Sequence, residues 1–334
     1  MSYVIQAIEP QGAKKHDCPQ VHYLAQKWAQ KYVLSIKDYE ISPREYDKSK
    51  TSEKLQTSLR TASVEAWSLT EKLIAKEVWR HRINPKLINP WEIAEDIFNL
   101  YQKAIETYAQ QTHPLNLTRT IAPEIGNIRQ KYTVEDSRVI GFVSMQFHYT
   151  GHQLLQRISP DEQEGVNYYF KVIDDHLYMP LQRAYRAAAK HDENSQALMA
   201  VQQLLPVSTD IAKNICERVV RLYPNYCTKS GSIGEEKIKI SSIRDTEMFQ
   251  VYLWVCLLEG NISIILQELF PLCAMLYPAL KVQWELIRQM LHLLGKQTCN
   301  YLATEQQNIF LPYFQVLWQM FSPEVFPETL EDEG

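Results

Sequence analysis

Glycine is scarce in this chain, and paired-cysteine motifs are missing. Only 10 of the 334 residues are glycine, while long stretches are rich in Ala, Leu, Gln, Glu and Lys, which favour helices. The composition therefore predicts an almost entirely helical fold with little support for strands. None of the six cysteines stands in a Cys-x-x-Cys pair, and the first residues lack a secretory signal pattern. We therefore expect a reducing, cytoplasmic compartment.

Several classes of motif are also absent. The sequence contains no phosphate-binding loop, no Gly-x-Ser-x-Gly, no Gly-x-Gly-x-x-Gly and no Glu-x-x-His pair of the di-iron bundles. These absences favour a protein that is not an enzyme. The 35 basic and 39 acidic side chains leave a net charge of −4, which gives no sequence-wide support for nucleic-acid binding. The longest apolar stretches, 251–258 and 269–280, are shorter than the ~20 residues of a membrane helix, so we expect no membrane span.

The sequence does contain a succession of apolar stripes at helical spacing. We predict helices over 52–82 and 91–111, a mixed, proline-containing segment over 112–133, and a further helix that begins near Glu135 and ends before Ser159-Pro160. The predicted organisation has four parts: an N-terminal arm with a short helix over 21–35 (1–50), an N-terminal helical domain (51–159), a C-terminal domain (160–325) and an acidic tail (326–334).

The most informative stretch is Ser242-Ile243-Arg244-Asp245, at the front of an apolar helix that ends at Glu259-Gly260-Asn261. Adjacent Arg and Asp side chains point in different directions on a helix, so they pair poorly with each other and are well placed to hold a polar group. The stretch resembles the phycobiliproteins, the globin-like light-harvesting proteins of the phycobilisome. Their pattern is Cys-x-Arg-Asp followed by an aromatic-rich helix and Gly-Asp, and Ser242 stands where their pigment-bearing cysteine lies.

The resemblance extends over the C-terminal half, about residues 160–325. Tyr277 falls on a tyrosine typical of the family, the segment 211–224 resembles the helix before the pigment loop, and 230–236 resembles the loop itself. The resemblance implies an all-α protein in which a C-terminal globin-like domain follows an N-terminal helical domain. A series of about eight helices in this half fits that expectation.

The resemblance also implies roles for individual residues. In the family the cysteine forms a thioether to an open-chain tetrapyrrole, the Asp accepts hydrogen bonds from pyrrole nitrogens, and the Arg holds a propionate. Asp245 would then be the pyrrole partner and Arg244 the propionate partner, with Ser242 and Tyr277 completing the bilin-binding set. Ser242 cannot make the thioether, because a hydroxyl is a far weaker nucleophile than a thiolate. We expect no covalent cofactor, and a non-covalent bilin stays open.

A simpler alternative is that Arg244 and Asp245 are helix-start charges that pair with neighbours such as Glu247 and Lys239. The bulky run 251–255 after them favours a filled helix over a pigment cleft. The retained Arg-Asp pair favours a ligand. Both interpretations remain open from the sequence.

The histidines give little support for a metal or a haem. His148 and His152 are spaced to share one helix face, as metal ligands often do, but we prefer a polar pair at a helix surface or domain seam and predict no metal site. No histidine lies between His191 and His292, which argues against a haem globin. The Asp-Asp-His run at 174–176 diverges around a helix, and we interpret it as a solvated face.

The leading hypothesis is a non-enzymatic, cytoplasmic, phycobiliprotein-like protein of cyanobacterial photosynthesis. It would act in bilin binding or biosynthesis, or in phycobilisome assembly or regulation. Its expected partners are bilins and phycobiliproteins or bilin-pathway proteins, and a homodimer stays open. The second hypothesis is a pigment-free interaction scaffold with contacts at 168–170 and 178–180. A helical enzyme acting on a tetrapyrrole ranks last, with His148 and Asp175 as the residues to test.

Overall fold

A computed structural model describes residues 23–28, 30–31, 48–111 and 113–327. Of the described residues, 80% are helical and almost none are in strands, so the predicted all-α fold is confirmed. Within the predicted short helix 21–35, the described residues are helical. Most of the predicted N-terminal arm (1–50) and most of the acidic tail (326–334) lie outside the described residues. No helix in the described ranges is long and apolar enough to cross a membrane.

Five helices of the N-terminal half pack around one apolar core. Their bounds are α1 Lys48–Arg80, α2 Pro90–Ala109, α3 Pro114–Thr133, α4 Val139–Leu155 and α5 Pro160–Tyr178. Three of them begin with proline, which suits a first helical position because the backbone N–H there has no intrahelical partner. The Asn89 side chain caps α2 by accepting a 3.1 Å hydrogen bond from the N–H of Trp91.

Seven helices follow: α6 Leu181–Ala188, α7 Gln196–Leu204, α8 Ser208–Leu222, α9 Glu236–Glu259, α10 Phe270–Ala279, α11 Trp284–Tyr301 and α12 Thr304–Met320. The loop before α9 holds two short antiparallel strands, β1 Cys227–Thr228 and β2 Gly231–Ser232, with Cys227 opposite Ser232. α9 ends at Gly260, whose φ of 68° is a left-handed conformation that glycine adopts without a side-chain clash.

The segment 112–133, which we expected to be mixed, is helical from Pro114 onward. α3 contains Pro123, and an internal proline removes one backbone hydrogen bond and usually kinks or ends a helix. That cost is offset because Leu117, Ile121 and Ile125 are buried along one face. The expectation was wrong because the buried stripe outweighs the single proline.

Buried apolar side chains form two clusters. The N-terminal core is built by α1 to α5, and the C-terminal core by α6 to α12 together with Leu24 and Trp28. α10 contributes to both: Met275 packs in the N-terminal core and Tyr277 in the C-terminal core. α5 packs in the N-terminal core through side chains such as Phe170, although it begins at the predicted boundary. The division at 159/160 stays a prediction.

A buried cluster of polar groups joins the two cores. The guanidinium of Arg129 on α3 donates to the Glu268 carboxylate, to the carbonyl oxygen of Leu177 and to the hydroxyl of Tyr252, the last at 3.2 Å. Arg129 and Glu268 are both buried. The cluster links α3 and α5 to α9 and to the π-helical segment Ile265–Leu269.

Candidate functional site

A cavity of about 440 Å³ lies where the two cores meet, within the roughly 300–1,000 Å³ of small-molecule sites. We call it the inter-core cavity. Its walls come from α2, α4 and α5 on one side, and from α8, α9 and the segment around Trp28 on the other. The lining residues are Trp28, Lys31, Tyr101, His148, Gly151, His152, Leu155, Asn167, Phe170, Lys171, Asp174, Asp175, Thr209, Lys213, Ile240, Ser241, Ile243, Arg244 and Glu247.

The lining combines buried aromatic side chains with charged and titratable ones. Trp28, Tyr101 and Phe170 are 1%, 1% and 3% exposed, and these aromatic side chains contribute a large apolar area to the lining. His152 and Lys213 are exposed and provide cationic or titratable groups at the rim. The cavity therefore offers both aromatic surface and charged groups to a ligand.

One wall depends on a close approach that glycine allows. The Tyr101 hydroxyl donates a 2.8 Å hydrogen bond to the carbonyl oxygen of Phe147 on α4. A Cβ at Gly151, one turn further along α4, would lie 2.6 Å from that hydroxyl, so only glycine leaves room for it. The glycine thereby allows the close approach of the Tyr101 side chain on α2 to α4 at the cavity.

Arg244 lies on the α9 wall and contacts the opposite wall. Its Nη1 donates a 2.8 Å hydrogen bond to Oδ2 of Asp174 on α5 and lies 3.3 Å from Nδ1 of His148 on α4. The guanidinium also stacks over the Tyr178 ring, 4.2 Å from its centroid, a favourable cation–π arrangement. Arg244 is therefore both a cavity residue and a link between the two cores.

Asp245 is not in the cavity lining. Its Oδ1 accepts a 2.5 Å hydrogen bond from the Tyr178 hydroxyl, and burial raises the pKa of its carboxyl. Ser242 and Tyr277 do not line the cavity either. Tyr277 is buried, with its ring in an edge contact with Trp284 at 5.9 Å. Of the four residues that the resemblance implies, the structure places only Arg244 at the cavity.

Two lysines in the cavity wall also contact carboxyl groups. Nζ of Lys31 is 2.9 Å from Oε1 of Glu247, and Nζ of Lys171 is 2.7 Å from Oδ2 of Asp175. Thr209 also donates to the Glu247 carboxylate. The side chains of Lys31 and Glu247 are both buried, and pairing offsets the cost of removing these charges from water.

The charges across the cavity are set by burial and by their partners. Burial alone would lower the pKa of Arg244, but the Asp174 carboxylate raises it above the ordinary value. Burial would raise the pKa of Asp174, but His148 and Arg244 hold it well below its usual range. Both groups are therefore ionised at neutral pH. In contrast, burial and the nearby Glu247 charge raise the pKa of Asp175 well above its ordinary value, which favours its neutral form.

The simpler pairing expected for Arg244 is wrong. Glu247 pairs with Lys31, Lys239 lies 3.9 Å from Glu236, and Arg244 pairs across the cavity with Asp174. The filled-helix expectation is correct for only part of α9. Residues 251–255 are all buried, whereas the first turns of α9 line the cavity.

The comparison with known families supports the resemblance seen in the sequence. Residues 170–320 match the Phycobilisome protein family. This C-terminal domain is phycobiliprotein-like. No curated protein and no solved structure matches the chain. The phycobilisome-family domain includes α9 and therefore Arg244, whereas Tyr101, His148 and His152 lie before the matched residues. The inter-core cavity is thus built jointly by the phycobilisome-family domain and by helices that precede it.

The histidine pair His148 and His152 and the acidic run at 174–176 also lie at this cavity. His148 and His152 both line the cavity from α4, and the cavity lies at the seam between the two cores. The pKa of His152 is lowered mainly by burial and further by the charge of His148. Among the described residues, no group of three or more His, Cys, Asp or Glu side chains could hold a metal ion.

The interpretation of 174–176 as a solvated face is wrong, because Asp175 and His176 are each 1% exposed.

The sequence alone could not identify the partners of Arg244. Asp174 is 70 residues and His148 is 96 residues away along the chain, and no local spacing links them to α9. The only available signal was the occurrence of charged residues inside apolar helices. Such residues need a buried partner, and here the partner comes from the opposite core.

Proposed function

We propose that the protein is a non-enzymatic, phycobiliprotein-like protein that binds a bilin without a covalent bond in the inter-core cavity. Such binding would serve bilin carriage or the assembly or regulation of the phycobilisome. The observation that carries the proposal is the position of Arg244, the propionate partner implied by the resemblance, in the wall of a ligand-sized cavity at the edge of the phycobilisome-family domain.

The chemistry of the lining supports this ligand class. An open-chain tetrapyrrole is a flat, largely apolar molecule with two propionates. Trp28, Tyr101 and Phe170 offer aromatic surface to its body, and Arg244 and Lys213 offer positive charge to its carboxylates. None of the lining residues is a cysteine, which supports non-covalent binding.

A titration with biliverdin tests the proposal. We expect a saturable change in its absorbance spectrum at neutral pH, with about one pigment bound per chain, and release of the free pigment when the protein is denatured. Arg244→Met should weaken binding by about tenfold or more, because a hydrogen bond to a charged group contributes roughly 1.5–3 kcal/mol. No saturable spectral change with the wild-type protein would overturn the proposal.

Arg183→Met is the matched control. Arg183 also binds a carboxylate, with Nε and Nη2 each 2.7 Å from an oxygen of Glu259, but it does not line the cavity. Its replacement should leave biliverdin affinity unchanged. Equal effects of the two variants would mean that the loss at Arg244 reflects overall charge or stability, and would count against a site at the inter-core cavity.

A pigment-free interaction role is the second candidate, favoured by two exposed tryptophans. Trp79 and Trp91 are 77% and 85% exposed, and exposed aromatic side chains are typical interface anchors. The contacts expected at 168–170 and 178–180 are less suitable, because Tyr169, Phe170 and Met179 are buried. This role would be supported if a cyanobacterial lysate yielded a partner that binds without tetrapyrrole and is lost with Trp91→Ala.

A further inference from the structure

Arg244, in the wall of the inter-core cavity, already binds a carboxylate of the protein itself. Oδ2 of Asp174 lies 2.8 Å from Nη1 of Arg244 and 3.1 Å from Nδ1 of His148. Arg244 and Asp174 both line the cavity, and each side chain is 19% exposed. A ligand carboxylate that approaches Arg244 therefore meets a group with the same charge and the same hydrogen-bonding geometry.

We infer that Asp174 is an internal competitor for the ligand's carboxylate and so limits the affinity of the inter-core cavity for anionic ligands. This inference rests on the proposed function. Two carboxylates next to one guanidinium repel each other, and each can accept from the same N–H donors. A bound anion must therefore displace Asp174 from Arg244 or share the guanidinium with it at a cost in free energy.

The arrangement of the other charges makes Asp174 the decisive competitor. Lys31 is paired with the Glu247 carboxylate, and Nζ of Lys171 is occupied by a 2.7 Å contact with Oδ2 of Asp175, whose pKa is raised well above its ordinary value by burial and by the Glu247 charge. Nε of Arg244, by contrast, is buried without a hydrogen-bond partner, so this guanidinium has donor capacity left unused. Releasing Asp174 would leave Arg244 as a cation in the cavity wall without a carboxylate partner from α5.

The competition persists at neutral pH. His148 and Arg244 keep the pKa of Asp174 well below its usual range even though burial acts in the opposite direction. Asp174 therefore stays charged under any condition in which a carboxylate ligand is itself charged. Lowering the pH does not release Arg244 before it also neutralises the ligand.

Asp174→Asn tests the inference through a gain in affinity, which partial unfolding would not produce. We expect this variant to bind biliverdin about tenfold more tightly than the wild-type protein, as expected when a charged competitor worth ~1.4 kcal/mol is removed. Biliverdin dimethyl ester, which lacks free carboxylates, should show no gain. Asp210→Asn is the charge-matched control, because Asp210 is exposed beside Thr209 on α8 and does not line the cavity. It should leave both affinities unchanged.

Each other outcome overturns the inference in a recognisable way. If wild-type protein binds biliverdin but Asp174→Asn binds it equally or more weakly, Asp174 positions Arg244 and the competition is absent, while the proposed function stands. Equal tightening of biliverdin and its ester would indicate a loosened cavity. If neither protein binds biliverdin, the proposed function fails and the inference fails with it. Asp174→Ser, checked by circular dichroism, provides the same test if the Asn variant does not fold.

Discussion

At the scale of the residue, His176 shows how burial controls charge in this protein. It is 1% exposed, its Nδ1 lies 2.8 Å from the carbonyl oxygen of Val172, and its Nε2 lies 3.3 Å from the Tyr185 hydroxyl. Burial lowers its pKa to about 4, against about 6.5 in an unfolded chain. Between these values the unfolded chain binds a proton that the native protein does not, so native stability falls as the pH falls.

We therefore predict that His176→Phe reduces the pH dependence of stability between pH 7 and 5. In the wild-type protein this one group should contribute a loss approaching ~1.4 kcal/mol for each pH unit below about 6.5. Free energies of unfolding in urea at several pH values measure the slope. His292→Phe, at an exposed position, is the control and should keep the wild-type slope. An unchanged slope in His176→Phe would contradict the assignment.

A second prediction at this scale concerns two glycines in different conformations. Gly260 has a φ of 68°, and a Cβ there would meet no atom within 4 Å, so Gly260→Ala should cost about 1–2 kcal/mol through backbone strain alone. Gly165 is helical, and its Cβ would lie 3.6 Å from Tyr108, an ordinary contact. Gly165→Ala should therefore stabilise by about 0.5–1 kcal/mol. Urea denaturation checks the opposite signs, and shifts in the same direction would contradict the argument.

The residues of the candidate site were only partly predictable from the sequence. Arg244 was singled out because the resemblance is carried by neighbouring residues in one helix. Asp245 was singled out for the same reason, but it is bound to Tyr178, a contact between helices that no local pattern encodes. The roles of Asp174 and His148 depend on the packing of α4 and α5 against α9, which the sequence does not reveal.

At the scale of the element, most helices follow from apolar spacing and from their end signals. The predicted helices 52–82 and 91–111 correspond to α1 and α2, with Pro90 at the start of α2. The helix α3 was missed because propensity rules give Pro123 more weight than the buried stripe around it. Local rules predict where helices begin and end, whereas tertiary burial decides the exceptions.

The buried polar cluster around Arg129, which joins the two cores, gives a testable prediction. Arg129→Met would leave the buried Glu268 carboxylate without its cation, and removing one partner of a buried pair typically costs about 3–5 kcal/mol. Arg183→Met is the matched control, since its pair with Glu259 is much more exposed and should contribute about 1 kcal/mol or less. Thermal and urea unfolding compare the two variants. Similar losses would contradict a structural role for the Arg129 cluster.

At the scale of the whole molecule, the inter-core cavity belongs to neither half alone. The phycobilisome-family domain over 170–320 supplies Arg244, and the preceding helices supply Tyr101 and His148. Part of the lining comes from Trp28, near the start of the chain. A binding site shared in this way would couple ligand binding to the packing of the two cores, since a ligand in the cavity contacts both.

The most direct test is the crystal structure of the protein saturated with biliverdin. We expect electron density for one tetrapyrrole in the inter-core cavity, against Phe170 and Ile243, with a propionate within hydrogen-bonding distance of Arg244. Density beside Ser242 and Tyr277 instead, or a cavity that stays empty at saturating biliverdin, would contradict non-covalent pigment binding between the two cores.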